Sequence, residues 1–114
     1  MPGDRITWTN FAPRQPTDAD RAALHTDLAD RARLVRTEGW AAHRDTWPAG
    51  VVAAVAAVLN DAEVLKELDE TEAQVLTRYA ADLYGFTDSR KDIAKGLPNT
   101  QAWFDSVRKA AGLA

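Results

Sequence analysis

In the middle of the chain, residues 48–84 show the apolar pattern of an almost uninterrupted helical region. Its first turns, residues 51–59, are apolar on every side, and a helix of that kind is either buried all round or spans a membrane. The apolar run 49–59 has eleven residues, well short of the roughly 20 that a bilayer requires. The pattern therefore predicts a central core helix, in which Val55 and Val58 are fully buried beneath other helices or a second copy of the chain.

Capping signals mark the first two helices. Thr17 is a natural N-cap with two aspartates in the turn that follows it, and Gly39 ends the helix that Thr17 opens. The apolar residues of this first helix share one face at helical spacing: Leu24, Leu28, Ala32 and Val35. Asp45 or Thr46 is expected to cap the second helix, in which Pro48 lies in the first turn, where proline is tolerated.

Two further capping patterns divide the long helical region. Asn60 precedes Glu63 by three residues, and Asp69 precedes Glu72 by the same spacing, as in a capping box. Capping boxes prefer serine or threonine, so a continuous helix through either site is the alternative. We favour a break at each.

Glycine and proline mark the later boundaries. Gly85 is expected to end one helix, and Pro98 or Asn99 to open the last one. The predicted helices are 18–37, 47–59, 61–68, 70–84, 88–95 and 98–111. The sequence therefore predicts an all-α fold, in which a compact bundle of about five to six short helices (residues 17–114) follows an extended N-terminal arm (residues 1–16).

The arm and the aromatic residues point to assembly. Residues 1–16 contain three prolines and one glycine, so they cannot form a long helix. Trp8 and Phe11 on this arm must dock on helices of the same chain or of a second one, and Trp40 and Trp47 flank the first junction between helices. These four residues are the candidate interface. A homodimer is favoured because an all-apolar helix needs more cover than four amphipathic neighbours supply, and two-fold dimers are the commonest oligomers.

Composition narrows the class of protein. The chain has 114 residues and no cysteine, which fits one domain with a single core and no disulfides. No secretory signal opens the sequence, so we expect a cytoplasmic protein without a membrane segment. Richness in alanine, arginine and aspartate is typical of a bacterial or phage protein.

Charge is unevenly distributed along the chain, although the net charge is only −3. Residues 48–77 carry six acidic residues and one lysine, which gives −5, whereas residues 78–114 carry six basic and four acidic residues, which gives +2. The acidic stretch is either a solvated face that also favours helix starts or a patch that binds a partner. The balance is far from the strongly basic one of a dedicated nucleic-acid binder.

One constellation carries a resemblance to a known module. A short predicted helix ends in the segment Ile93–Leu97, and the next opens with Pro98–Gln101. This order resembles the helix-turn-helix of response regulators and sigma factors. The resemblance implies a DNA-binding regulator that uses the helices of residues 88–111. The residues that would face the major groove are Asn99, Thr100, Gln101 and Asp105. Those that would contact phosphates are Arg90, Lys91, Arg108 and Lys109.

The same segment also has a purely structural interpretation. Three short helices separated by glycine and proline occur in many small helical domains, and Asp105 would oppose a phosphate. Core packing accounts for the apolar residues of the last helix. If the last helix binds DNA, Gln101 and Arg108 are expected to be exposed, and Trp103 and Phe104 to pack inward against Leu76, Tyr79 or Ile93.

Residues typical of catalysis are scarce. The chain has two histidines, His25 and His43, without a metal-binding spacing and without cysteine, so neither a metal nor a cofactor is predicted. Metal-free acid–base chemistry would have to use Glu38, His43 or Glu63 in a cleft between subunits. The sequence therefore favours a small binding or regulatory protein acting through protein–protein contacts, over a DNA-binding regulator or an enzyme.

Overall fold

The structure, a computed structural model, describes residues 15–113. The regular elements in that range are all helical: α1 (Asp18–Glu38), α2 (Ala49–Val58), α3 (Ala62–Glu67), α4 (Glu72–Ala94) and α5 (Pro98–Ala110). The predicted all-α class is confirmed. Trp8 and Phe11 of the predicted arm lie outside the described residues.

Both ends of α1 follow from the local sequence. The Thr17 hydroxyl accepts the Asp20 N–H at 3.1 Å, and the Asp20 carboxylate accepts the Thr17 N–H at 2.9 Å, which completes a capping box. Gly39 ends the helix with φ 84°, and its N–H donates to the Val35 carbonyl at 2.7 Å. The buried face of α1 consists of Leu28, Ala29, Ala32 and Val35. The predicted cap and end of this helix are confirmed.

α2 is the core of the molecule. Every residue from Val52 to Val58 is at most 1% exposed, so the predicted burial of Val55 and Val58 is confirmed. Each of the other four helices packs against α2. Most of its buried residues are alanines, whose small side chains let neighbouring helices approach closely. The premise that α2 needs cover from a second copy is therefore wrong, because the chain's own helices cover it, and the homodimer stays a prediction.

The start of α2 differs from the prediction. The helix begins at Ala49, directly after Pro48, and has no side-chain cap, so neither Asp45 nor Thr46 caps it. Residues 40–47 form consecutive turns instead. Proline disfavours the helical conformation in the residue before it, so the helical turns cannot run through this boundary.

Both predicted breaks around α3 are confirmed, but the residues play other roles. Asn60 (φ 55°) and Asp69 (φ 56°) adopt the left-handed conformation and end the helices before them. The N-cap of α3 is Asp61, whose carboxylate accepts a backbone N–H at 3.1 Å. The N-cap of α4 is Thr71, which forms a capping box with Gln74. Asparagine and aspartate tolerate the left-handed region, and each break needed such a residue before its cap.

α4 changes direction at Gly85, where the predicted helix end is confirmed as an interruption. Gly85 has φ 82° and ψ 176°, outside the helical region. Two side chains satisfy the carbonyls that this interruption leaves free: Gln15 donates to the Tyr84 carbonyl at 2.7 Å, and Arg21 donates to the Leu83 carbonyl at 2.8 Å. The residues that precede and open α1 therefore fix this kink.

α5 begins at Pro98, as predicted, after Leu97 in the left-handed conformation (φ 65°). Because Leu97 has no side-chain oxygen, the buried carboxylate of Asp92 caps the helix from a distance. It accepts the N–H of Asn99 and of Thr100, each at 2.9 Å, and the Thr100 hydroxyl at 2.6 Å. Burial alone would raise the pKa of Asp92, but these hydrogen bonds outweigh it, and the net effect lowers the pKa below its usual 3.8.

Candidate functional site

A cleft of about 620 Å³ opens where the C-terminus of α2, the helix α3 and the N-terminus of α4 meet. It forms because Asn60 and Asp69 turn the chain sharply at the two ends of the six-residue helix α3. Its floor is apolar, since Ala57 and Leu65 are buried there and Ala62 adds a methyl group. The rim residues are Asn60, Lys66, Asp69, Glu70, Thr71, Glu72 and Gln74. We call this site the acidic cleft.

The rim carries three carboxylates and one ammonium group. Glu70 forms an ion pair with Arg78 at 2.6 Å, and Glu72 forms one with Arg108 at 3.1 Å. Asp69 is exposed, and within residues 15–113 its carboxylate forms no ion pair. The negative charge of Asp69 is therefore available to a cation that enters the cleft.

Arg108 lies behind the cleft. The helix-turn-helix resemblance implies that it contacts phosphates, but in the structure it contacts the end of α2. Its guanidinium donates to the carbonyls of Ala57 at 2.8 Å and Val58 at 2.9 Å, at the C-terminus of α2. It also pairs with Asp105 at 2.6 Å, and its side chain is only 14% exposed. A cation at the last carbonyls of a helix satisfies them and complements the helix dipole. The prediction that Arg108 contacts phosphate is therefore wrong in this fold.

The residues implied to face the major groove are also largely committed to the fold. Thr100 is fully buried on Asp92, so its predicted groove contact is wrong. Asn99 is exposed, but its N–H is bonded to the same carboxylate. Gln101 is half-buried and donates to Asp105 at 3.1 Å. Asn99 and Asp105 have exposed side chains, so their predicted groove contacts stay predictions.

The remaining basic candidates lie on the surface. Arg90, Lys91 and Lys109 are exposed, and Lys91 lies 4.0 Å from Asp88. DNA binding through these three residues stays a prediction.

The aromatic residues of α5 pack as the structural interpretation predicts. The ring centroid of Tyr79 lies 5.4 Å from that of Phe104 and 6.4 Å from that of Trp103. Burial raises the pKa of Tyr79 to about 12, so its phenol stays protonated. Ile93 does not join them and is 41% exposed.

Two of the candidate catalytic residues are brought together. The His43 Nε2 atom lies 2.9 Å from the Glu38 carboxylate, and the imidazole stacks on Trp47 with ring centroids 4.5 Å apart. The Arg31 guanidinium lies 4.8 Å from the Trp47 ring centroid. Glu63 is exposed on α3 and bonds to neither residue. These contacts pack the turns of residues 40–47 against α1.

The two candidate interface tryptophans in the described range contact their own fold. Trp40 donates from Nε1 to the Asp61 carboxylate at 2.9 Å, and Asp61 also caps α3. Trp40 and Trp47 are half-buried against the core. A role for them between two chains stays a prediction.

The second histidine contacts a serine without activating it. His25 Nε2 lies 3.0 Å from the Ser106 hydroxyl, which in turn donates to the Trp103 carbonyl at 2.6 Å. The Trp103 carbonyl can only accept a hydrogen bond, so the Ser106 hydroxyl donates its proton to it. His25 must therefore donate to the Ser106 oxygen. A nucleophile needs the opposite arrangement, with the histidine accepting the proton.

An exposed apolar stripe lies at the other end of α4, beyond the kink. Phe86 is 70% exposed, and Ile93 is the next large apolar residue at the surface. Arg90 lies between them in the sequence, with its guanidinium 6.0 Å from the Phe86 ring centroid. These three residues follow one another at i, i+4 and i+7, which places them on one helix face. We call them the Phe86 stripe.

Sequence reasoning identified the acidic segment but missed both surfaces. The floor of the cleft depends on how α2, α3 and α4 meet, for which no local signal exists. The spacing of the Phe86 stripe is visible after Gly85, but the helix-turn-helix resemblance assigned Ile93 to the interior of a module.

Comparison with protein families, with curated proteins and with solved structures found no match to this chain. Across residues 15–113 no group of three or more histidine, aspartate or glutamate side chains is placed to hold a metal ion. Over the same range no helix combines the length and apolar character needed to cross a membrane.

Proposed function

We propose that the protein is a small cytoplasmic regulatory protein that acts by binding another protein chain in the acidic cleft. The observation that carries this proposal is an apolar floor, with Ala57 and Leu65 at its base, beneath a rim of carboxylates. Protein interfaces combine an apolar centre with a polar rim in the same way. The volume of about 620 Å³ accommodates one or two large side chains rather than a whole domain surface.

The chemistry of the cleft defines the partner segment. An apolar side chain is needed to contact the floor, because Leu65 and Ala62 offer only hydrocarbon there. Lysine or arginine residues beside it would meet the rim, above all Asp69, whose carboxylate has no ion pair within residues 15–113. The partner segment is therefore an apolar anchor flanked by basic residues.

Electrostatic attraction of this kind depends on salt. The rim carboxylates are exposed or half-buried, and the Debye length falls from about 10 Å at 0.1 M salt to about 3 Å at 1 M. We therefore expect the rim to contribute selectivity and association rate at low salt, while the floor provides the salt-independent part of the affinity.

A labelled peptide with one phenylalanine between two pairs of lysines tests the proposal. We expect it to bind in fluorescence anisotropy, and the same peptide with glutamates in place of lysines to bind much more weakly. Ala62→Trp fills the cleft from an exposed position and should abolish binding. Equal binding of the two peptides, or binding unaffected by Ala62→Trp, would show that the cleft is not the receptor.

A charge variant has a matched control on the same helix bundle. Asp69→Asn keeps a residue that tolerates the left-handed conformation and should weaken lysine-peptide binding about two- to fivefold at low salt. Asp82→Asn removes the same charge from an exposed position of α4 that does not line the cleft, and should leave the affinity unchanged.

A further inference from the structure

The Phe86 stripe has the chemistry that the acidic cleft selects. Phe86 supplies a large apolar side chain that is 70% exposed, and Arg90 supplies a guanidinium one helical turn later. Ile93 adds a second apolar group on the same face. Anchors at i, i+4 and i+7 are how an amphipathic helix occupies a groove.

We propose that a second copy of this chain occupies the acidic cleft, and that it inserts the Phe86 stripe. This inference rests on the proposed function of the cleft and names its partner. Charge complementarity supports it: the segment that forms the cleft, residues 48–77, carries −5, whereas residues 78–114, which contain the stripe, carry +2. The guanidinium of Arg90 then meets the carboxylate of Asp69 of the second copy.

The first segment of α4 separates the two surfaces along the chain: it begins at the cleft and ends at the kink, just before the stripe. From Glu72 at the cleft to Gly85 at the kink, α4 rises about 20 Å, at about 1.5 Å per residue. In the proposed dimer these segments lie antiparallel, so that the stripe, which begins one residue after the kink, reaches the cleft of the other copy. The contact is made twice about a two-fold axis, which is the commonest oligomeric symmetry.

The middle of α4 permits this pairing. Ala73, Thr77 and Ala81 are exposed at spacings of four residues, and their small side chains allow two helices to approach closely. The dimer therefore combines two cleft contacts with one helix–helix contact, since a single cleft contact is smaller than a stable interface needs.

Sedimentation of the full chain at several concentrations tests the inference. We expect a dimer at low salt, with a dissociation constant that rises with salt. Ile93→Ser should raise that constant at least about tenfold, as expected for a central interface residue. Leu34→Ser is a matched control, because Leu34 on α1 is also 41% exposed but lies on neither surface. At concentrations well below the dimer dissociation constant, both variants should keep the wild-type melting temperature, since both positions are exposed.

A complementation experiment distinguishes a specific contact from non-specific hydrophobic association. Phe86→Ser removes the stripe and keeps the cleft, whereas Ala62→Trp blocks the cleft and keeps the stripe. Each variant alone should sediment as a monomer. A mixture of the two should form a heterodimer with a larger dissociation constant than the wild-type dimer, because it combines the helix–helix contact with one intact contact between the cleft of the first variant and the stripe of the second.

The outcomes distinguish the two proposals. A wild-type monomer at all concentrations, or a dimer that Phe86→Ser and Ile93→Ser leave unchanged, overturns the second copy as occupant, while binding of the lysine peptide still supports the cleft as a protein-binding site. A mixture that stays monomeric at concentrations well above the wild-type dissociation constant also overturns the dimer. A heterodimer from the mixture supports it.

Discussion

Asp92→Ala removes a buried charge that caps α5. The carboxylate is 2% exposed and accepts three hydrogen bonds at the start of α5, two from backbone N–H groups and one from the Thr100 hydroxyl. Thr100 itself is fully buried, so water does not replace the lost acceptor. The variant therefore leaves buried donors without a partner and leaves α5 without an N-cap.

The expected loss follows from the three hydrogen bonds. Each hydrogen bond to a charged group contributes about 1.5–3 kcal/mol, and the loss of an N-cap costs about 0.5–2 kcal/mol. These contributions are not additive, and burying the carboxylate itself costs free energy that the variant recovers. We therefore expect Asp92→Ala to lower the free energy of unfolding by about 3 kcal/mol, which corresponds to a melting temperature lower by about 12 °C in a domain of this size.

Urea unfolding followed by circular dichroism at pH 7 measures this change. Asp88→Ala is the control, because Asp88 lies on the same half of α4, is exposed, and only approaches Lys91 at 4.0 Å. That variant should change the free energy of unfolding by less than about 0.5 kcal/mol. If Asp92→Ala costs no more than Asp88→Ala, the remote cap does not stabilise α5 and the reasoning fails.

The pH dependence offers an independent check with a definite sign. Because the hydrogen bonds lower the pKa of Asp92 in the folded state, its contribution to stability is present above the unfolded pKa of 3.8 and is lost as the pH falls through the folded pKa. The difference in unfolding free energy between wild type and Asp92→Asn should therefore be larger at pH 7 than at pH 3. An equal difference at both values would contradict the lowered pKa.

Two further predictions concern the kink and the DNA alternative. Gly85→Ala should destabilise the fold by about 1–3 kcal/mol in thermal unfolding, because φ 82° with ψ 176° is a backbone conformation that residues with a Cβ rarely adopt. Gly50→Ala, inside α2 where a Cβ meets nothing within 4 Å, should not destabilise the fold, and similar losses for both variants would refute the strain. In anisotropy titrations with a DNA duplex we expect no binding whose affinity falls steeply with salt, and binding that Arg90→Ala with Lys109→Ala weakens would restore the helix-turn-helix interpretation.

Much of the fold was predictable because its signals are local. The all-apolar turns around Val55 and the cap at Thr17 act within a few residues, so sequence pattern alone identifies them. The caps predicted at Asn60 and Asp69 lie one and two residues before the observed caps, Asp61 and Thr71. Both residues suit a helix start and a left-handed helix end, and only the structure shows that each ends one helix while a neighbour caps the next.

The remaining features depend on contacts between distant segments. Arg108 donates to a carbonyl 50 residues earlier, and no spacing in the sequence predicts that contact. The same holds for Asp92, which caps α5 by accepting N–H groups seven and eight residues later. The cover of α2 was underestimated for a related reason. The alanines of α2 make the helix thin, so four neighbouring helices enclose it. How completely neighbours enclose a helix depends on how they pack, which the pattern of one helix does not reveal.

The position of Arg108 also has a consequence for the order in which the molecule forms. Its hydrogen bond to Val58 spans 50 residues, and its ion pair with Glu72 spans 36. At about 5–20 residues per second, a ribosome makes α5 some 3–10 s after the end of α2. Until then Ala57 and Val58 lack the hydrogen bonds that the Arg108 guanidinium donates, and Glu72, one wall of the cleft, lacks the counter-charge that pairs with it. The acidic cleft is therefore completed late in synthesis, after most of the core helices exist.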